Sequence, residues 1–292
     1  MLKGSIVALV TPFDKDGQIE EGKLKFLINW HIENGTDAIL VCGTTGESAT
    51  LTHDEHKKLI GFTVEEVKRR IPVVAGCGSN STQEAIDLVK HAKKVGADYA
   101  LVITPYYNRP TQEGLYQHFK TIADTVSIPI IIYNVPSRTG SNILPTTVAR
   151  LYSDCKNIIG IKEASGNLDQ ITQLMTLVDD KFLLFSGSDE ITLPILSLGG
   201  VGAISVVANV LPKQNHDFIA SYLKGDIQQA RTLQLWLYDM IKALFIETNP
   251  TPAKISLGLM GLIEPNLRLP LYKMSDANLA TLKEILGKYK LI

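Results

Sequence analysis

The chain has 292 residues, of which 45% are hydrophobic, and a formal net charge of -1. Such a length and apolar share accommodate one barrel-sized domain or two smaller ones. A charge this close to zero supplies no broad field for nucleic acid or an anionic membrane, so the expected partner is a small molecule.

Three cysteines, Cys42, Cys77 and Cys155, are odd in number and widely spaced, and the first two sit in apolar runs. They read as reduced core thiols in a reducing compartment. Met1-Leu2-Lys3-Gly4 leads straight into a strand pattern without the parts of a secretory leader, and no apolar run approaches membrane-spanning length. The expected location is the cytoplasm.

Eight short apolar runs follow in chain order: Ser5 to Val10, Ala38 to Gly43, Val73 to Gly78, Tyr99 to Thr104, Ile130 to Val135, Ile158 to Ala164, Phe182 to Gly187 and Gly202 to Ala208. Helical periodicity fills the intervals, as in Ala85, Leu88, Val89, Ala92 and in Ile171, Leu174, Met175, Val178. Thr52-His53-Asp54-Glu55 and Ser81-Thr82-Gln83-Glu84 fit the capping-box pattern at helix starts. Eight strands alternating with helices predict an α/β fold, the TIM (β/α)8 barrel. An open doubly wound sheet is the rival. Its signature is missing, since Gly76-Cys77-Gly78 has no third glycine at the right spacing and no phosphate-cradling GxxxxGK[ST] loop occurs.

The strand signal stops near Gln228, and Thr232 to Ile246, Pro252 to Leu262 and Asn278 to Tyr289 read as helices. Residues 1–225 are therefore expected to form the catalytic barrel and residues 226–292 a helical extension packed on it. No stretch has the composition of a flexible linker.

Within the sixth run, Ile158-Ile159-Gly160-Ile161-Lys162-Glu163 places a single amine in an apolar strand. Burial lowers the pKa of a lysine and leaves a nucleophile able to attack a carbonyl and form a Schiff base. The bland alternative is a strand-end lysine paired with Glu163. Barrel chemistry lies at the C-terminal ends of the strands, and unusual residues gather there. Gly43-Thr44-Thr45-Gly46-Glu47-Ser48 follows the second strand, Thr104-Pro105-Tyr106-Tyr107-Asn108-Arg109-Pro110 the fourth, and Tyr133-Asn134-Val135-Pro136-Ser137-Arg138-Thr139-Gly140 the fifth. Each has a duller explanation as a capped turn, packing aromatics or a solvated charge. Together they supply an amine, hydroxyls for proton relay and a planar cation suited to a carboxylate.

The strings GTTGES, TPYYNRP, YNVPSRTG and GIKEASGN resemble those of the dihydrodipicolinate synthase family of pyruvate-dependent class I aldolases. The likeness runs from the first strand to about residue 210, with weaker agreement in the tail. It implies that Lys162 forms a Schiff base with pyruvate and that Tyr133 shuttles protons, linked through Thr44 to Tyr107 from a neighbouring subunit. It further implies that Thr45 holds the pyruvate carboxylate, that Gly187 and Ile204 line the pocket floor, and that Arg138 binds the carboxylate of L-aspartate 4-semialdehyde. No cofactor or metal is implied, and the assembly implied is a homotetramer built as a dimer of dimers.

Relatives with the same lysine, of the N-acetylneuraminate lyase and 2-keto-3-deoxygluconate aldolase types, are the alternatives, and Arg138 favours the synthase branch. A catalytically silent, ligand-sensing barrel is the alternative from another class. His53 and His56 lack the spacing of the HExxH metal motif. In lysine-inhibited members of the family, Ser48, Ala49, His53, His56, Asn80, Glu84 and Tyr106 match an allosteric L-lysine site at the subunit interface, so feedback inhibition by L-lysine is expected.

Overall fold

Strands buried on both faces need no polar alternation and read as continuous apolar runs. In the computed structural model, which describes residues 2–292, the eight runs form β1 (Gly4–Ala8), β2 (Ala38–Val41), β3 (Val73–Gly76), β4 (Tyr99–Ile103), β5 (Ile130–Asn134), β6 (Ile158–Glu163), β7 (Leu183–Ser186) and β8 (Gly202–Ser205). Neighbours in sequence pair with one another, and β1 joins β8 to close the barrel. Several strands end two or three residues before the apolar runs do. The chain leaves the ladder while still buried, for example at Leu9 and Val10, to turn into the loops above the barrel.

Alternation divides the core into two layers. Ile6, Leu40, Val74, Leu101, Ile131, Phe185 and Ile204 fill the barrel interior. Val7, Ile39, Ala75, Val102, Ile132, Ile161 and Leu184 face the surrounding helices. Gly76, a candidate for a nucleotide-binding turn under the rival fold, serves strand packing instead, because a Cβ there would lie 2.2 Å from the Cys42 carbonyl oxygen.

The helix over His53–Val67 starts with a complete capping box between Thr52 and Glu55. The one over Thr82–Val95 forms only half of its box. The Ser81 hydroxyl accepts from the Glu84 amide at 3.4 Å, while the Glu84 carboxylate turns to His53 and Ser79. The helix over Leu168–Met175 stops short of Val178. Three helices follow the barrel, over Ile227–Leu244, Thr251–Leu259 and Asp276–Lys288. The first begins ahead of the periodic signal at Thr232 because the Asp226 carboxylate caps it, accepting from the Gln229 amide at 3.0 Å. Leu237, Met240, Leu257, Leu282 and Leu286 join the outer core layer, so extension and barrel share one apolar cluster. Among the described residues no helix is long and apolar enough to cross a membrane.

Because the Gly76 clash is with backbone, Gly76→Ala is expected to destabilise the fold by about 2 kcal/mol, read as a lower denaturant midpoint with an unchanged slope.

Candidate active site

Parallel pairing of β5, β6 and β7 puts Lys162 between Tyr133 and Phe185. Successive strand residues point to opposite faces, so Lys162 faces the barrel mouth while Glu163 turns outward. The Glu163 carboxylate accepts from Asn134 Nδ2 at 3.1 Å and from the Ser165 amide at 2.6 Å. A Lys162–Glu163 pair is thereby ruled out. Lys162 is 6% exposed and, among the described residues, makes no ion pair. Burial lowers its pKa to about 7, the charge of Asp189 opposing that shift and Arg138 adding to it. The Asp189 carboxyl is itself buried and accepts from the amides of Val206 and Val207 at 3.0 and 2.9 Å.

The lysine Nζ stands 4.2 Å from the centroid of the Tyr133 ring. Burial raises the Tyr133 phenol above its usual range, and the charge of Arg138 and a hydrogen bond with Thr44 pull it back. Gly187, at the end of β7, leaves room for the lysine chain. A Cβ there would come within 2.8 Å of Ala164 Cβ and 3.0 Å of Lys162 Cγ and Cε.

Thr44 and Thr45 reach the site on the loop after β2, a tight turn in which the Gly46 amide donates to Gly43 O at 3.0 Å. The Thr45 hydroxyl is buried and accepts from Asn249 Nδ2 at 3.0 Å. Arg138 lies on a single helical turn after β5, and its Nη2 donates to the Asn249 carbonyl at 3.1 Å. These residues, with Lys162, Tyr133 and Gly187, line a cavity of about 670 Å³. That is the size of a small-molecule site. One expected member lies elsewhere. Ile204 sits in the barrel interior while its neighbour Val206 lines the cavity. Tyr107, expected to serve a neighbouring subunit, is 90% exposed with a positive φ of 70° and does not line the cavity of its own chain.

The same cavity extends past Ser48, Ala49, His53, His56, Glu84 and Tyr106. His53 Nε2 lies 2.9 Å from Glu84 Oε1, and His56 Nε2 donates to the Gly76 carbonyl at 2.7 Å. Burial lowers the His56 pKa, so its ring stays neutral at neutral pH. Asn80 stands apart from the cavity lining, its carbonyl accepting from Asn108 Nδ2 at 2.9 Å. Among the described residues no three His, Cys, Asp or Glu side chains converge as a metal site.

The model of the dihydrodipicolinate synthetase family matches residues 1–289. The chain belongs to the dihydrodipicolinate synthetase family. It is 55% identical to the 4-hydroxy-tetrahydrodipicolinate synthase of Syntrophus aciditrophicus, with 100% of each chain covered. A crystal structure of the chloride-inhibited dihydrodipicolinate synthase of Acinetobacter baumannii, complexed with pyruvate, superposes with a TM-score of 0.97 at 44% identity and 100% coverage of both chains. The synthase of Cyanidioschyzon merolae with lysine bound superposes at 0.96, with 39% identity and 99% of each chain covered.

For this member of the dihydrodipicolinate synthetase family, sequence reasoning missed the contribution of the C-terminal extension. Asn249 bridges Thr45 and Arg138, and Phe245 also lines the cavity. Asp189, the acidic neighbour of Lys162, was equally silent, since an acid after a strand is an ordinary loop residue. The one available signal was Asn249-Pro250-Thr251-Pro252, a turn-forming string ahead of a helix.

Gly187→Ala is expected to retain the fold, lower the melting temperature by a few degrees and cut turnover at least tenfold by displacing Lys162; thermal melts and steady-state assays on one preparation check both.

Proposed function

We propose that this chain condenses pyruvate with L-aspartate 4-semialdehyde to give 4-hydroxy-tetrahydrodipicolinate, as a lyase of the class I aldolase type. The observation that carries this reading is a buried, unpaired Lys162 with a pKa near 7 beside Tyr133 and Thr44, in a chain whose full-length relative bears that enzyme's name.

Lys162 Nζ attacks the C2 carbonyl of pyruvate, and loss of water leaves a protonated imine. That cation withdraws electrons from the adjacent methyl group, which loses a proton to give an enamine. The enamine carbon adds to the aldehyde, and the amino group of the second substrate then closes onto the imine carbon and frees Lys162. Tyr133 and Thr44 are placed to pass these protons, because neutral hydroxyls donate and accept without bringing a charge into a dry pocket. Thr45 holds the pyruvate carboxylate, Arg138 the carboxylate of the semialdehyde, and residues 1–225 carry this chemistry while 226–292 support it. Arg138 facing the cavity favours the synthase over sugar-acid aldolases, and the intact Lys162 and Tyr133 disfavour a silent barrel.

Tyr107, exposed on the single chain next to the cavity-lining Tyr106, is assigned to the site of a second copy, within a dimer and a tetramer of two dimers. L-lysine is assigned to the branch of the cavity between His53, His56 and Glu84, where it inhibits by coupling through Tyr106 to Tyr107. The relative crystallised with lysine supports that assignment. Three buried free thiols fit a cytoplasmic setting.

Borohydride reduction with pyruvate is expected to add a pyruvyl mass to the peptide of Lys162 alone; an unlabelled chain would end this reading. Tyr133→Phe should lower kcat by about a hundredfold or more, and Arg138→Ala should raise KM for the semialdehyde far more than for pyruvate. Millimolar L-lysine is expected to inhibit the parent and to leave Glu84→Ala active; equal activity of the parent with and without lysine would remove the regulatory part.

A further inference from the structure

The loop bearing Thr44 and Thr45 is anchored by a residue that touches no part of the cavity. Glu47 lies two positions beyond Thr45, is buried, and holds a left-handed backbone with φ 55°, a conformation that costs a non-glycine residue free energy. Its Oε1 accepts from Lys254 Nζ at 2.6 Å, with both side chains wholly buried. Its Oε2 accepts from the Arg268 amide at 3.1 Å. Lys254 also packs over the Phe13 ring, 4.2 Å from its centroid. Burial lowers its pKa to about 8, and Glu47 acts against that shift.

Lys254 stands on the Thr251–Leu259 helix, whose cap residue Pro250 follows Asn249. Asn249 in turn donates to Thr45 and accepts from Arg138. Thr45, Glu47, Lys254 and Asn249 therefore close a ring in which one ion pair fixes the distance between loop and helix. Apolar residues of the same size often stabilise a core as well as a buried ion pair does. A directional, one-to-one contact instead restricts the loop to one register, which is what a carboxylate pocket built from two distant segments requires.

We propose that the Glu47–Lys254 pair is a positioning device that sets the placement of Thr45 relative to Arg138, and through it the affinity for the keto acid, without contacting either substrate. The inference rests on the assignment of pyruvate to this cavity. Lys254→Met, Glu47→Gln and the double variant are to be compared with the parent in steady-state kinetics, thermal melting and borohydride trapping with pyruvate. The expected result is a rise of at least tenfold in KM for pyruvate with kcat within threefold of the parent. The double variant should be no worse than the poorer single one, because the two residues act as a unit. A folded variant whose melting temperature falls while KM stays within twofold overturns the inference and leaves the pair a purely stabilising contact. Failure of all three to fold overturns it as well, since the pair would then act on the fold and not on the site. Trapping in the parent separates the two claims. No adduct at Lys162 defeats the functional reading itself, whereas an adduct in the parent with unchanged variant KM values defeats only the positioning role.

Discussion

An amine withdrawn from water at the mouth of a closed ring of strands is the constraint on which the rest of this molecule depends. Desolvation is the largest of the causes that bring Lys162 to about 7, so near neutrality part of the population carries a free electron pair. Several features maintain that state. Strand alternation removes Glu163 from reach, Gly187 gives the side chain its space, and Asp189 and Arg138 act on it with opposite signs. The ring of Tyr133 stands 4.2 Å away, and its phenol, raised by burial, is neutral at the same pH, as the proposed proton carrier must be.

A second buried lysine makes the contrast clear. Lys254 is as thoroughly enclosed as Lys162, yet it has a carboxylate at 2.6 Å and is spent on architecture. Lys162 faces hydroxyls and an open cavity with no such partner. Burial by itself therefore does not single out a candidate nucleophile; burial without a matched counter-charge, at a strand end over a cavity, is what makes Lys162 the candidate. The C-terminal extension, remote in sequence, uses Lys254, Asn249 and Arg268 to hold the loops of the barrel from above. Arg268 grips Glu55 with both of its terminal nitrogens and donates to the Thr50 carbonyl, fixing the start of the helix that carries His53 and His56.

The barrel was legible in the chain because parallel strands covered on both faces must be apolar throughout, and eight such runs alternating with helical periods admit few arrangements. Strand ends were less so. Leu9 and Val10 are buried without being paired, and burial is what an apolar pattern reports. Lys162, Tyr133, Thr44, Thr45 and Arg138 were legible as candidates because each departs from its local pattern at the same end of β2, β5 or β6. Asn249 and Lys254 were not, since their meaning arises only when they meet residues 204 and 207 positions away. Glu84 shows the converse. Its sequence spacing fits a capping box, but His53 and Ser79 offer its carboxylate stronger partners, and tertiary contact overrides the local motif.

Direct titration of the Lys162 amine tests the central claim, by NMR of protein labelled at the lysine ε-position, with the resonance assigned from a Lys162→Arg variant. The account predicts a midpoint near 7, with the charged form prevailing below it and the free amine above. A midpoint at 10 or higher, the range of a hydrated lysine, would contradict it.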